Sequence, residues 1–362
     1  MQDNQAIPLN KENFKQILSK DFALVIIISI PSAMIAEYFN VPLAWFLGPM
    51  LITSIASLTG FKTKMPRLIL SFVLIFLGLY IGNYIDKTLF SQMQQWAWTS
   101  LIMLIYIVTS VLLVSKYLQK FSNYDKKTSV FSAAPGALGP LMILAEDEKS
   151  DLSQVATSHL IRLIIIITVF PFIVNSLYGG GIAEPVKVII ENQNIFHLLI
   201  LVVLSVIFII IFDKLKIPAA LLTGTLIASG FLQITDLASY KLPPNVIDYC
   251  LLILGSSVGC RFADKSFNEI ARNALHSFVA TFMLVVLGLF AACIAGLVID
   301  KNFFTLLLSF CPGGIYEVAV IAIFFDLDPE FVAFHHIIRL LMILFIVPFI
   351  LKIIEKKPKV NK

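Results

Sequence analysis

From Phe22 to Ile353 the chain is a succession of long apolar runs parted by short polar joints. A helix needs about 20 apolar residues to cross a hydrocarbon core of roughly 30 Å, and this pattern predicts ten spans. They fall near 22–38, 41–59, 68–85, 97–117 and 153–177, then near 195–213, 217–235, 246–262, 274–298 and 330–353. An eleventh and a twelfth apolar segment, 129–146 and 303–326, differ from the others because each is interrupted by proline and glycine.

The pattern is written twice. Pro135 and Pro312, His159 and His336, Arg162 and Arg339, and Pro171 and Pro348 each stand 177 positions apart. The stretch "LGLYIG" from Leu77 faces "LGSSVG" from Leu254, and one residue out of register "VPLAWFLGP" faces "IPAALLTGT". Such a period marks a duplicated unit. The organisation read from it is a polar, cytoplasmic amino terminus (1–20), a first membrane repeat (21–177), a linker (178–194), a second membrane repeat (195–353) and a basic cytoplasmic tail (354–362). The first apolar run, from Phe22 to Ala36 and followed by Glu37, has the look of a secretory signal. Its counterpart in the second repeat argues that it is retained.

If the Pro-Gly segments cross, the repeats are parallel; if they enter and leave on one side, each repeat has five crossings and the two are inverted. With the amino terminus inside, the inverted arrangement leaves Lys87, Lys187, Lys241 and Lys301 outside. The parallel one strands Lys87, Lys149, Lys214, Lys216, Arg261, Lys265 and Arg272 there. Lys and Arg near span ends favour the cytoplasm, so the expectation is an all-α polytopic protein of inverted repeats in the cell membrane, both termini cytoplasmic.

Composition agrees: 58% of the 362 residues are hydrophobic and 14% charged, against about a quarter charged in soluble domains. The net charge of +4 adds little beyond the sidedness argument. Cys250, Cys260, Cys293 and Cys311 stand singly and read as small core residues. The five histidines offer no i, i+4 pair and the cysteines no cluster, so neither a metal nor another cofactor is expected.

Proline and glycine in "APGA" (134–137) and "CPGG" (311–314) predict helix breaks, each opening into a short helix with proline first. Freed backbone at membrane depth must be buried in protein or line a wet cavity, and paired breaks in matching repeats point to a transporter binding site. The candidate binding residues are Pro135, Gly136, Pro312, Gly313, Gly314 and Glu317 with the helix pairs His159/Arg162 and His336/Arg339. Each histidine lies three residues before its arginine, on one helix face, with the arginine near mid-depth. A charge there costs at least about 2.5 kcal/mol. Two readings stand side by side. The arginines serve as solute counter-charges or part of an ion path, with the histidines exchanging protons, or they cap the carbonyl ends of the broken helices. Kinks with a purely structural purpose are the alternative for the breaks themselves. Asp151 and Asp328 read as helix caps, Glu37 and Asp213 as interfacial. Gly78, Gly82, Gly255 and Gly259 read as close-packing positions, and Trp45, Trp96 and Trp98 as belt residues.

"SAAPGALG…SHLIRLIIIITVFPF" and "SFCPGGIYEVAVIA…HHIIRLLMILFIVPF" resemble the two copies of the AbrB-type membrane protein family. That family's pattern is Pro-Gly-Gly-x-x-Glu followed by a His/Gln-x-x-Arg helix ending in proline. The second copy matches at Pro312, Gly313, Gly314, Glu317, His336 and Arg339, whereas the first has Ala137 for the second glycine and Pro140 for the acid. The resemblance implies inverted repeats similar to those of cation/proton antiporters and anion transporters. The labels its members carry, regulators of gene expression and ammonia monooxygenases, are varied. The functional expectation is a secondary transporter or exporter of a small anionic solute, with an indirectly acting membrane regulator as the alternative and an enzyme ranked last. The expected partners are the lipid bilayer, a small solute or ion and a second copy of the chain, without direct contact to nucleic acid.

Overall fold

The computed structural model describes residues 11–85, 87, 89–136, 138–177, 195–238 and 243–356. The 178–194 linker, most of the basic tail, Ala137, Lys187 and Lys241 lie outside them. Every regular element among the described residues is helical. A short helix, α1 (Lys11–Ile17), precedes α2 (Lys20–Tyr38), α3 (Ala44–Leu58), α4 (Arg67–Gly82) and α5 (Leu89–Phe121). Two half-length helices follow, α6 (Lys126–Ala133) and α7 (Leu138–Asp147), then α8 (Leu152–Leu177). The order repeats as α9 (Ile195–Lys214), α10 (Ala220–Thr235), α11 (Pro244–Cys260), α12 (Phe267–Ala295), α13 (Phe303–Phe310), α14 (Ile315–Phe324) and α15 (Pro329–Lys356).

Six of these helices are long and apolar enough to cross a membrane, and five shorter apolar ones accompany them; the chain is a multi-pass membrane protein. The α5 and α12 helices extend well beyond the apolar runs that announce them. At the start of α12, "FNEIARNALH" is polar, so hydropathy stops short of it. Its Glu, Ala, Arg and Leu are nevertheless good helix formers.

The chain forms two compact units, and each draws matching parts from both repeats. The first unit comprises Met1–Ser91, Phe170–Phe267 and Ala319–Glu330. In it α3 packs on α11 and α4 on α10, so the repeats interlock through exchanged partners. Glycine makes this possible. A Cβ on Gly78 would lie 2.4 Å from the Leu222 carbonyl oxygen, and one on Gly255 would lie 2.2 Å from that of Phe46. The related Gly82 and Gly259 press on Ser229 and Thr53 in the same way. Ser29 and Ser256 add a buried hydroxyl pair at 2.7 Å.

The second unit comprises Gln92–Val169, Asn268–Val318 and Phe331–Lys362. Its core includes Val114 and Leu118 of α5, Ala133 of α6, and Ala280 and Leu284 of α12. Both entering half-helices are capped by residues 177 positions apart. Asp125 accepts from the Lys127 and Thr128 amides at 2.8 and 3.0 Å, and Asn302 accepts from the Phe304 amide at 2.8 Å. Asp151 caps α8 through the Gln154 amide at 3.0 Å.

Three expectations need correction. Cys250 and Cys311 are buried, but Cys260 is half-buried and Cys293 exposed; Cys293 shares α12 with exposed Phe290 and Ile294, a face turned outward. Trp96 is buried against Phe331 and Phe334, whereas Trp98 is exposed. Two residues apart on α5, the two indoles fall on opposite faces of the helix, one packed against protein and the other exposed. Asp328 precedes Pro329, the first residue of α15, but with φ +41° instead of the extended backbone of an ordinary cap.

Packing at the glycines makes a direct prediction. Gly255→Ala forces a methyl group into the Phe46 backbone and should destabilise the protein by about 1–3 kcal/mol. At Gly296 the nearest atom is 3.5 Å from the added carbon, so Gly296→Ala should leave the detergent-solubilised thermal transition unchanged.

Candidate functional site

Both breaks have the same local cause. The residue before a proline is driven to extended backbone, and Ala134 (ψ 129°) and Cys311 (ψ 131°) are so placed. The entering helices therefore stop there, and Pro135 and Pro312 fall inside the break, not at the first position of the next helix as the sequence suggested. Gly136, at φ +104°, turns the first chain back toward helix. In the second copy Gly313 and Gly314 precede α14.

The two ends of each broken segment come together. Lys127, at the start of α6, pairs with Glu148 just beyond α7 at 2.6 Å, and Thr128 Oγ1 accepts from the Asp151 amide at 3.0 Å. In the second copy the ammonium of Lys301, just before α13, lies 5.8 Å over the ring of Phe331 in the first turn of α15.

An eight-residue helix reaches about 12 Å and leaves its last carbonyls without intrahelical donors. The arginines, ten residues into α8 and α15, lie at a similar depth and reach those oxygens. Arg162 donates Nη1 to the Ala134 carbonyl at 2.5 Å and Nη2 to that of Ser132. Arg339 donates Nη1 to the Cys311 carbonyl and Nη2 to that of Gly313 at 2.6 Å. The histidines complete the arrangement: His159 Nε2 meets the Phe131 carbonyl and His336 Nε2 that of Leu308, both at 3.0 Å. A carbonyl only accepts, so the proton is on Nε2 in each ring. The neighbouring His335 does something else, bridging Thr99 at 2.7 Å and the Phe331 carbonyl at 2.9 Å.

The two breaks meet. A Cβ on Gly136 would lie 2.9 Å from Arg339 Nη2 and 3.2 Å from the Gly313 carbonyl oxygen. Both arginines are 2% exposed, and among the described residues neither forms an ion pair with a carboxylate. Two cations thus share one buried region, held by backbone oxygens. Glu317 is buried in the first turn of α14, where its carboxylate lies against Gly314; a Cβ there would be 2.0 Å from Oε2. The counterpart of Glu317 is Pro140. Beside it Gly139 is exposed, with nothing within 4 Å of the position a Cβ would take.

All ten candidate residues, Pro135, Gly136, His159, Arg162, Pro312, Gly313, Gly314, Glu317, His336 and Arg339, therefore belong to one unit, in which Gly136 lies against Gly313 and Arg339. Tyr106, Ser132 and Gly139 were missed. The signal for Tyr106 was a hydroxyl in mid-span; its ring is buried edge-on to Phe310 at 6.1 Å. For Ser132 and Gly139, proximity in sequence to Pro135 was the available clue.

The profile described as "Transition state regulatory protein AbrB" matches residues 2–85 and 45–355. The chain belongs to the AbrB family. Two matches to one profile agree with the duplication read from the sequence. This AbrB-family chain is 25% identical over 330 residues to an Escherichia coli (strain K12) protein named "Putative regulator AbrB", covering 87% of this chain and 91% of the relative. It is 21% identical over 347 residues to "Uncharacterized protein YhjN" of Bacillus subtilis (strain 168), covering 89% and 90%.

Removing an arginine fork leaves two buried carbonyls unpaired at about 1–3 kcal/mol each. Arg339→Met should therefore lower the unfolding free energy by about 2–6 kcal/mol. Arg339→Lys, which has one donor head and no fork, should fall between it and the native protein in thermal unfolding.

Proposed function

We propose that this AbrB-family protein is a secondary transporter for a small anionic solute, held where the two breaks meet. The carrying observation is the pair of buried arginines with no carboxylate partner among the described residues. Helix carbonyls offset part of their charge, but a net positive field persists in a low-dielectric region, where charge interactions are strong. The starts of α7 and α14 add the positive ends of helix dipoles. A small oxyanion meets all of these requirements together.

We read the Pro-Gly segments as re-entrant and the repeats as inverted, with ten crossings and both termini in the cytoplasm of a cell-membrane protein. Two contacts support this. The Lys127–Glu148 pair closes the first hairpin on one side. The Lys87–Asp236 pair brings the ends of α4 and α10 together, which parallel repeats would put on opposite faces. No enzymatic step is part of this reading. The indirectly acting regulator remains the second reading, and the name of the Escherichia coli relative is what favours it.

Two experiments test the proposal. In right-side-out vesicles an impermeant thiol reagent should label Lys301→Cys and not Lys127→Cys, with the reverse in inverted vesicles; labelling of both from one side contradicts inversion. In proteoliposomes loaded with phosphate, sulfate, acetate or oxalate, exchange of at least one anion should depend on the protein. Gly139→Leu has room for its side chain and should keep native thermal stability while losing most of that exchange.

A further inference from the structure

The two breaks are not equivalent, and the difference lies in which polar groups they leave over. At the first break the buried side-chain groups without a partner among the described residues are donors: Arg162 Nε, whose guanidinium is anchored to the carbonyls leading into the break, and the Ser132 hydroxyl. Their counterparts are provided for. Ser309 donates to the Thr305 carbonyl at 2.8 Å, and the Arg339 guanidinium has no orphaned nitrogen among the described residues. At the second break an acceptor is already in place: a carboxylate, Glu317, lies against Gly314 at the start of α14, and His336 Nδ1 is the buried side-chain atom without a partner among the described residues. The first break is thus short of an acceptor and the second already contains one. An acidic side chain at the third helical position can reach back to the cap amide and complements the dipole. At the start of α7 that position is Pro140, which can do neither.

We propose that the anionic group of the solute binds at the first break, to Arg162 Nε, the Ser132 hydroxyl and the open amino end of α7 beside Gly139, and that Glu317 is a built-in anion occupying the matching place in the second repeat. The protein then takes one solute per chain, and Glu317 sets that number. This assignment rests on the transporter reading, from which it takes the anionic character of the solute. It also gives Gly314 a purpose: a side chain there would displace the carboxylate.

The test is calorimetric titration of the purified full-length protein with sulfate, phosphate and acetate, alongside thermal unfolding to confirm folding. The native protein should show one saturable site for at least one of these probes. Glu317→Gln, which keeps shape and removes the charge, should show two sites, and Pro140→Glu, which gives α7 the same internal carboxylate, should weaken the native site at least tenfold. One unchanged site in all three proteins would overturn the role of Glu317 while leaving an anion site standing. Binding by Glu317→Gln alone would overturn the first-break assignment and the transporter reading but keep Glu317 as an internal anion. No binding by any of the three would overturn both.

Discussion

The carbonyl ends of α6 and α13 must find donors at a depth where water is scarce. A helix that stops inside a membrane protein leaves up to four oxygens unsatisfied, and each costs free energy when buried without a partner. The sequence meets this with a guanidinium fork and an imidazole on the long helix after each break, α8 and α15. That one requirement fixes the three-residue spacing of histidine and arginine, their distance from the start of α8 and α15, and the length of the entering half-helices. It also places two positive charges where a bilayer would otherwise exclude them.

On the proposed reading, duplication turns this local solution into a site. Each unit collects matching elements from both repeats. The first is interlocked by glycine contacts between α3 and α11 and between α4 and α10, and the second brings the two breaks within a few ångströms of each other. A symmetric pair of cationic breaks would present two equal anion positions. The replacement of one residue pattern, Glu317 in one copy and Pro140 in the other, makes the pair unequal. Sequence divergence after duplication is in this view the source of a single, oriented site.

Much of the architecture was legible because membrane helices announce themselves by apolar length and because a repeat lets each half check the other. The span near 153–177 and helix Leu152–Leu177 differ by one residue. Helix ends rich in polar residues were hidden, as at the start of α12, because hydropathy records transfer cost and not helix propensity. The breaks were legible from proline and glycine, but the place of Pro135 and Pro312 within them was not, since it depends on the extended residue each proline imposes on its predecessor. The arginines could be named as functional or as caps. Only three-dimensional geometry reveals that the carbonyls they cap leave Arg162 Nε over, and that Gly139 faces open space while Glu317 closes on Gly314. Trp96 and Cys293 show the same limit, because which face of a helix meets lipid is a property of packing.

The central claim is that the start of α7 beside Gly139 is a solute position reached in turn from the two sides of the membrane. The most direct measurement is the labelling of Gly139→Cys, in a chain lacking Cys250, Cys260, Cys293 and Cys311, by an impermeant thiol reagent in right-side-out and in inverted vesicles. The account predicts labelling in both preparations, slowed by whichever anion the protein exchanges. Labelling from one side alone, or from neither, would contradict it.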